Sequence, residues 1–309
     1  MDIEKSMNSA ANALRKAALN ENAKSYLLQN EQLFSLFKKA ANRYIAGETL
    51  AEAMAKVNAL NTLDVACTVD FMGESIRTEE EANTVTQEFI KLAEAIKKDK
   101  RNCTISLDVS HIGLTVDREL GLSNLQEICK QGVEVIISAE GTDRTDDVMN
   151  TYIETVKQYS HLGITLQAYL HRSEDDLKEL MNYAGKIRVV KGAFATPEGE
   201  SFKRGKELDE RYLNFVRSLL ETRHKCSVAT HDPNIQTQVS EFIATLPNAS
   251  NYEFEGLLGI ENEQLFSLNQ LHPSRIYIVY GTEWYLYLCN RIAEYPPSIF
   301  QAISDIVDG

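Results

Sequence analysis

Short apolar runs rich in β-branched residues recur along the chain, and longer stretches with apolar residues at helical spacing separate them. Runs that are apolar at consecutive positions are typical of strands covered on both faces, as in a parallel sheet flanked by helices. The pattern therefore predicts repeated strand and helix units. The runs lie at residues 64–71, 103–109, 133–138, 163–169, 187–193, 226–231, 252–259 and 275–281.

Eight such units predict an α/β fold, and their spacing of roughly 25 to 40 residues favours closure into a (β/α)8 barrel of the TIM type. The alternative is an open, doubly wound sheet that binds a dinucleotide. Such a sheet is expected to carry a G-x-G-x-x-G turn after its first strand, where the backbone approaches the pyrophosphate. Here the first run ends in DFMGES, which offers one glycine.

Several helices are expected to begin at a serine or threonine that precedes an acidic or amide residue by three positions, because the hydroxyl can accept a free amide hydrogen at the helix start. The predicted starts are Thr49, Thr78, Ser123 and Ser173. Residues 1–62 precede the first strand and show helical spacing. We predict that they form a helical segment packed on a catalytic barrel made by residues 63–309.

Composition narrows the range of partners. The chain has 309 residues, 45 of them acidic against 32 Lys and Arg, and its formal charge of −13 opposes binding to nucleic acid. No apolar stretch is long enough to span a membrane. The five cysteines are scattered and show no zinc-binding spacing, so we expect no metal site and a reducing, cytoplasmic location.

In a parallel barrel the functional residues lie at the carboxyl ends of the strands. We expect the side chains at these ends to form one polar rim. A structural alternative is that the two cations at the end of the fifth run pair with Glu140 or Glu255 inside the barrel. The rim candidates are Asp70, Asp108, Ser138, Glu140, Gln167, Arg188, Lys191, Thr230, His231, Glu255, Tyr277 and Tyr280.

One of these strand ends carries a family resemblance. The string IRVVKGAF resembles the RLVKGAY motif of proline dehydrogenases, and the chain is identified as a member of that superfamily over about residues 35 to 297. Further motifs follow the family order: LNTLDVACTVDFMGES, GITLQAYLHRSEDDL, ATHD, YEFEGLLGI and YIVYGTEWYLYLCNRIAEYP.

The resemblance implies a distorted (β/α)8 barrel that holds FAD. It implies oxidation of L-proline to 1-pyrroline-5-carboxylate, with hydride passing from the amine-bearing carbon to flavin N5. It also implies a membrane quinone as electron acceptor, and hence peripheral contact with the inner face of the membrane.

The resemblance also assigns roles to individual residues. Arg188 is expected near flavin N5, where a cation stabilises negative charge, and Gln167 at the isoalloxazine edge. The other cofactor-binding residues are expected to be Lys191, Gly192, Glu140, Thr230 and His231, the last two on the adenylate side. Arg188, Lys191, Asp108 and Glu255 form the predicted catalytic group, in which Glu255 or Asp108 accepts a proton from the substrate amine.

The predicted substrate pocket departs from the family pattern. Asp108 replaces a lysine, and Asn290 replaces the first of two arginines, so that Arg291 alone remains of a three-cation clamp for the substrate carboxylate. Ser138 replaces an aspartate, Phe194 a tyrosine and Glu255 a glutamine. We expect Tyr277 and Tyr287 to contribute to carboxylate binding beside Arg291.

Three functional hypotheses follow. The first is a flavoenzyme that oxidises L-proline. The second keeps the flavin chemistry but acts on a proline-like secondary amine whose carboxylate is absent, masked or bound differently, with Asp108 attracting the cationic amine. The third is a non-catalytic barrel with a binding or regulatory role.

Overall fold

The computed structural model describes residues 3–73, 76–294 and 298–308, so the ends of two of the motifs above, at residues 74–75 and 295–296, lie outside the described residues. Eight parallel strands pair in chain order and close into a barrel through β1 and β8. The predicted barrel is confirmed and the open sheet is wrong. The strands are β1 (Ala66–Phe71), β2 (Cys103–Leu107), β3 (Val135–Ile137), β4 (Leu162–Gln167), β5 (Ile187–Val190), β6 (Cys226–Ala229), β7 (Tyr252–Leu257) and β8 (Ser274–Tyr280).

Helices precede the first strand and follow every strand. Those ahead of the barrel are α1 (Ile3–Ala18), α2 (Glu21–Gln29), α3 (Glu31–Ala41) and α4 (Leu50–Asn61). Those between strands are α5 (Glu79–Asp99), α6 (Arg118–Cys129), α7 (Thr145–Val156), α8 (Ser173–Leu180), α9 (Lys206–Glu221), α10 (Pro233–Thr245) and α11 (Asn262–Leu268), and α12 (Trp284–Glu294) and α13 (Ser298–Asp308) follow β8.

Of the four predicted helix starts, Thr49 and Thr78 are confirmed, Ser123 is wrong, and Ser173 begins its helix without capping it. Thr49 and Thr78 each form a capping box with the glutamate three residues on. Ser123 lies inside α6, which begins earlier because Asp117 accepts a hydrogen bond from the Leu120 amide. Ser173 is the first residue of α8, and its buried hydroxyl donates to the carbonyl of Gln167 at the end of β4, at 2.6 Å, instead of capping the helix.

Two apolar clusters hold the structure together. The larger lies between the barrel and its helices, where outward-facing residues such as Val69, Ile105 and Val189 pack against the helices, α4 among them. The smaller joins α1, α2 and α3 to α12 and α13, with Trp284 buried and packed edge-on against Phe34 at 5.3 Å. The helices ahead of β1 are therefore divided between the two clusters.

The inside of the barrel is polar. Side chains alternate along a strand, so positions two apart share a face. At the amino-terminal end of the barrel, Lys186 lies 2.7 Å from both Glu134 and Glu253, and Arg275 lies 2.9 Å from Glu253. Burial alone would raise the pKa of Glu253, but Arg275 and Lys186 outweigh it and lower the pKa to about 2.

The Glu253→Gln variant is expected to lose stability at neutral pH. The folded-state pKa lies below the ordinary value of 4.5, so the stabilisation is present above that pH and is lost as the pH falls towards 2. The shift corresponds to about 3 kcal/mol. Chemical unfolding from pH 7 to pH 3 should show a shallower acid dependence in Glu253→Gln than in the exposed control Glu241→Gln, and equal slopes would contradict the assignment.

Candidate active site

A buried ion pair spans the middle of the barrel. Arg188 of β5 donates through Nε and Nη2 to the two carboxylate oxygens of Glu255 on β7, at 2.9 and 3.0 Å. The two side chains are 5% and 2% exposed. Two parallel charge-assisted hydrogen bonds fix the guanidinium plane, and one of its faces lies 5.2 Å from the centre of the Tyr277 ring.

Four hydroxyl groups complete this pair. Glu255 accepts hydrogen bonds from Thr68 at 2.8 Å and from Ser227, while Arg188 Nη1 donates to Ser106 at 3.2 Å and to Thr165 at 3.3 Å. The sequence reasoning missed these hydroxyls because it considered only the last residues of each strand. Strand alternation could have identified three of them, because Thr68, Ser106 and Thr165 each precede a rim residue by two positions and therefore share its face of the strand.

The ion pair is charged throughout the physiological range. Burial alone would lower the pKa of Arg188, but the adjacent Glu255 carboxylate raises it above its ordinary value. Burial alone would raise the pKa of Glu255, and Arg188 reverses this effect and lowers it. With bonds from Arg188, Thr68 and Ser227, the Glu255 carboxylate has no free oxygen for a substrate proton.

Between the Arg188–Glu255 pair and the rim lies a second layer of side chains, which includes the two aspartates Asp70 and Asp108. The hydroxyl of Tyr277 donates to Asp70, and Ser138 exchanges a hydrogen bond of 2.9 Å with Ser106 below it. Asp70 is buried, and burial followed by the nearby charge of Asp108 raises its pKa well above the ordinary value. The two aspartates therefore oppose each other's ionisation.

Asp108 follows β2 and faces the same layer. Its side chain is 31% exposed, and His111 Nε2 lies 3.8 Å from its Oδ2. Burial raises the pKa of Asp108, His111 opposes this rise and Glu140 adds to it. Unlike Glu255, the Asp108 carboxylate has no bidentate partner among the described residues, and a hydrogen bond from Ser138 favours its charged form.

Glu140 and Gln167 lie side by side. Glu140 accepts from the Ser110 amide at 2.9 Å and from Arg144 at 3.0 Å, while Gln167 donates to the Glu140 carbonyl at 3.3 Å. The carboxylate of Glu140 is thus held by protein groups, and the Gln167 side chain is fixed at the rim beside it.

The segment after β5 carries a cation and a tight turn. Lys191 lies 3.0 Å from Asp232 and 2.6 Å from Asp209. Gly192 has φ of +108°, and a Cβ there would come within 2.2 Å of the Tyr169 ring, so the turn requires glycine. Phe194 is 46% exposed, which places its ring at the surface in this structure.

His231 is a neutral imidazole in this structure. Its Nε2 accepts a hydrogen bond from the Leu257 amide at 2.8 Å, which leaves the ring proton on Nδ1. Burial, followed by the charge of Arg291, lowers the pKa of His231 to about 4. The adjacent Thr230 is buried, and its hydroxyl accepts from the Asp232 amide at 3.1 Å.

Helix α12 brings two unpaired donors to the rim. Within the described residues, the Tyr287 hydroxyl and Arg291 Nε are buried without a hydrogen-bond partner. The Arg291 guanidinium lies 5.0 Å from the centre of the Tyr287 ring, and its charge acts on Tyr277 and His231 of the barrel. Asn290, the neighbouring residue of α12, is half-buried.

Three rim candidates lie elsewhere: Arg188 and Glu255 are buried in the middle of the barrel, and Tyr280 lies outside it. Tyr280 lies three residues after Tyr277 and therefore on the opposite face of β8, where its ring is buried against Phe71 and its hydroxyl donates to Glu88 of α5 at 3.1 Å. Asp70, Asp108, Ser138, Gln167 and Tyr277 are brought together at the barrel mouth. Lys191, Thr230 and His231 form a second group beside β5 and β6.

The fold and the site define a (β/α)8-barrel protein with charged side chains at the carboxyl ends of its strands. A family model described as proline dehydrogenase matches residues 53–294. The chain belongs to the proline dehydrogenase family, and the resemblance noted in the sequence is confirmed.

Related proteins cover almost the whole chain. Proline dehydrogenase 1 of Bacillus subtilis (strain 168) is 32% identical over 284 residues, which are 88% of this chain and 93% of that protein. Proline dehydrogenase of Deinococcus radiodurans is 29% identical over 308 residues, 96% of this chain and 98% of that protein.

A solved structure shows the same fold. Proline utilization A (PutA) from Bdellovibrio bacteriovorus, inactivated by N-propargylglycine, matches with a TM-score of 0.75 at 18% identity. The match covers 94% of this chain and 41% of that one, so this chain spans about two fifths of that protein.

The described residues contain no helix long and apolar enough to cross a bilayer. Over the same ranges, no cluster of three or more His, Cys, Asp and Glu side chains could hold a metal ion.

Proposed function

We propose that the protein is an FAD-dependent dehydrogenase that oxidises L-proline at the carbon attached to nitrogen and yields 1-pyrroline-5-carboxylate. The observation that carries the proposal is the buried Arg188 guanidinium, fixed by Glu255 below an open rim of polar side chains. Family membership supports the same reaction, as do relatives that are named proline dehydrogenase.

The side chains at the rim suit FAD. Gln167 offers an amide to the polar edge of a flavin, and His231 offers an Nδ1 hydrogen on the side proposed for the adenylate. Lys191 offers a cation for the diphosphate, and Gly192 lets the chain turn tightly beside it. When bound, FAD supplies the acceptor for the hydride.

Arg188 would provide a fixed positive charge in a site from which water is excluded. A guanidinium held by Glu255 needs no reorganisation during the reaction, which is the condition for strong electrostatic stabilisation of developing negative charge. Glu140 and Thr230 are held by protein groups, and we propose that they shape the cofactor site without carrying a proton.

The substrate carboxylate would bind at α12. Arg291 Nε and the Tyr287 hydroxyl are two neighbouring donors without partners among the described residues, and a carboxylate can accept from both. Tyr277, Ser138, Asn290 and Phe194 would border the ring of the substrate. This arrangement replaces a clamp of three cations with one cation and a hydroxyl.

The substrate amine must lose a proton before its lone pair can assist hydride departure. Of the two acceptors considered, Glu255 has its oxygens occupied by Arg188, Thr68 and Ser227, while the Asp108 side chain is 31% exposed and has no bidentate partner among the described residues. We therefore assign the proton to Asp108. The raised pKa of Asp108 brings it closer to that of an ammonium donor, which favours the transfer.

A second candidate substrate class is favoured by the acidic layer. Asp108 lies close enough to Asp70 to raise the pKa of Asp70, and an anionic substituent near the two carboxyl groups is disfavoured. A pyrrolidine-type amine whose carboxylate is absent or masked would avoid that repulsion and keep the contact of its ammonium group with Asp108.

The electron acceptor is proposed from the family resemblance. A membrane quinone would require the protein to approach a bilayer surface from the cytoplasmic side. Reduction of a quinone analogue in the presence and absence of vesicles would test this acceptor separately from amine oxidation.

Anaerobic mixing tests the function and separates the two substrate classes. The FAD-loaded protein is mixed with L-proline, prolinamide or pyrrolidine, and the oxidised flavin band at about 450 nm is followed. We expect L-proline to bleach the band. Bleaching by prolinamide and pyrrolidine alone would support the second class, and no bleaching by any amine would overturn both.

A further inference from the structure

His111 lies beside the proposed proton acceptor, on the short 3-10 turn Val109–Ile112 that follows β2. The His111 amide donates to the Asp108 carbonyl at 3.0 Å, and the turn places the imidazole next to the carboxylate. The distance between Nε2 and Oδ2 is 3.8 Å, so a small rotation of the ring would bring the two atoms within hydrogen-bond distance.

Hydrogen bonds within the described residues do not account for the position of this imidazole. The rings of His161, His224, His231 and His272 are each hydrogen-bonded to a protein group. His111 Nδ1 is buried and has no partner among the described residues. The ring lies over Gly73, where a Cβ would be 3.5 Å from it, so its side towards the loop after β1 is closely covered.

We propose that His111 is a positioning and proton-transfer residue that acts through Asp108, an inference that rests on the proposed function. The N–H bond of the substrate ammonium breaks, its electron pair stays on nitrogen, and the proton moves to Asp108. The new O–H bond then breaks and the proton moves to Nε2 of neutral His111, which restores the carboxylate. No group is oxidised or reduced in these two transfers.

The exposure of the two side chains suits this direction of transfer. Asp108 faces the barrel mouth, where the substrate is proposed to bind, and the His111 side chain is 26% exposed. A proton on His111 can therefore leave to water while the substrate occupies the barrel mouth. Without His111, each turnover would leave the proton on a carboxyl surrounded by other acids.

The surroundings of Asp108 make His111 important for its ionisation. The charged or titratable groups that face Asp108 are Asp70 of β1, Glu140 after β3, Arg144 ahead of α7, Tyr277 of β8 and His111. Asp70 and Glu140 oppose the carboxylate, while Arg144 and protonated His111 favour it. Removing His111 is therefore expected to make Asp108 harder to ionise.

The first test follows the Asp108 carboxyl carbon by ¹³C NMR during a pH titration of the FAD-loaded protein. In His111→Gln we expect the Asp108 titration to move to higher pH, because one favourable cation is lost. The control is His161→Gln, which changes a half-buried histidine just ahead of β4. An Asp108 titration that does not move in His111→Gln would overturn the proposal.

The second test measures L-proline oxidation with a dye acceptor in His111→Ala. We expect turnover to fall about tenfold or more, the pH profile to change and added imidazole to restore part of the rate. His161→Ala should show none of these effects. An unchanged pH profile without imidazole rescue would overturn the proposal. Failure of the wild-type protein to oxidise any amine would instead overturn the proposed function, and the NMR test would then decide the role of His111.

Discussion

Glu255→Gln is expected to unfold at lower denaturant concentration than the wild-type protein and to lose at least about 10²-fold in turnover. The substitution leaves the Arg188 guanidinium buried without a counter-charge, and breaking a buried pair in this way costs about 3 to 5 kcal/mol. The loss of turnover follows because the Arg188 guanidinium is no longer held in one plane below the rim. Chemical unfolding and steady-state kinetics on the same preparation measure the two effects.

A double variant separates the structural role of this pair from its catalytic role. Replacing both partners, as in Arg188→Met with Glu255→Leu, should recover much of the lost stability because neither residue is left as an unpaired buried charge. Activity should stay lost. Recovery of activity in the double variant would support the structural alternative, in which the pair only fills the barrel. Glu263→Gln, an exposed change on the helix after β7, is the matched control.

Asp108→Asn is expected to lower turnover with L-proline by about 10²-fold, the usual lower bound for loss of a general acid or base. The amide keeps the shape of the side chain but accepts no proton. Raising the pH should recover part of the rate, since more of the substrate amine is then already neutral. Stopped-flow bleaching of the flavin band across the pH range measures this effect.

A double variant tests whether Asp108 only repels the substrate carboxylate. In that case Asp108→Lys combined with Asn290→Arg would restore three cations and raise the turnover of L-proline. We expect this double variant to be slower than the wild-type protein. Asp99→Asn, an exposed change at the far end of α5, should leave the rate unchanged.

The barrel could be predicted from the sequence because eight short β-branched runs alternate with helical stretches, even though several strand positions that face the inside of the barrel are polar. The starts at Thr49 and Thr78 were also predictable, since both lie at exposed helix ends where local hydrogen bonds decide the conformation. Ser173 was not, because its hydroxyl is buried and pairs with a carbonyl that becomes adjacent only when β4 and α8 pack together.

In the candidate site, too, some features could be predicted from the sequence and others could not. Arg188 and Glu255 could be assigned to the fifth and seventh strands, and their pairing inside the barrel was the structural alternative. The bidentate geometry of the pair and its position below the rim depend on closure of the sheet, which local sequence does not encode. Tyr280 was predicted at the rim together with Tyr277, but strand alternation places residues three apart on opposite faces. His111 carried no sequence signal, since its relation to Asp108 arises from the 3-10 turn between them.

Binding of FAD tests the central claim most directly. The protein, freed of any bound cofactor, is titrated with FAD while the flavin absorbance and fluorescence are followed, and the same titration is made with Arg188→Met. We predict saturable binding of one FAD per chain, with weaker or spectrally altered binding in Arg188→Met. A wild-type protein that stays colourless and does not bind added FAD would contradict the account.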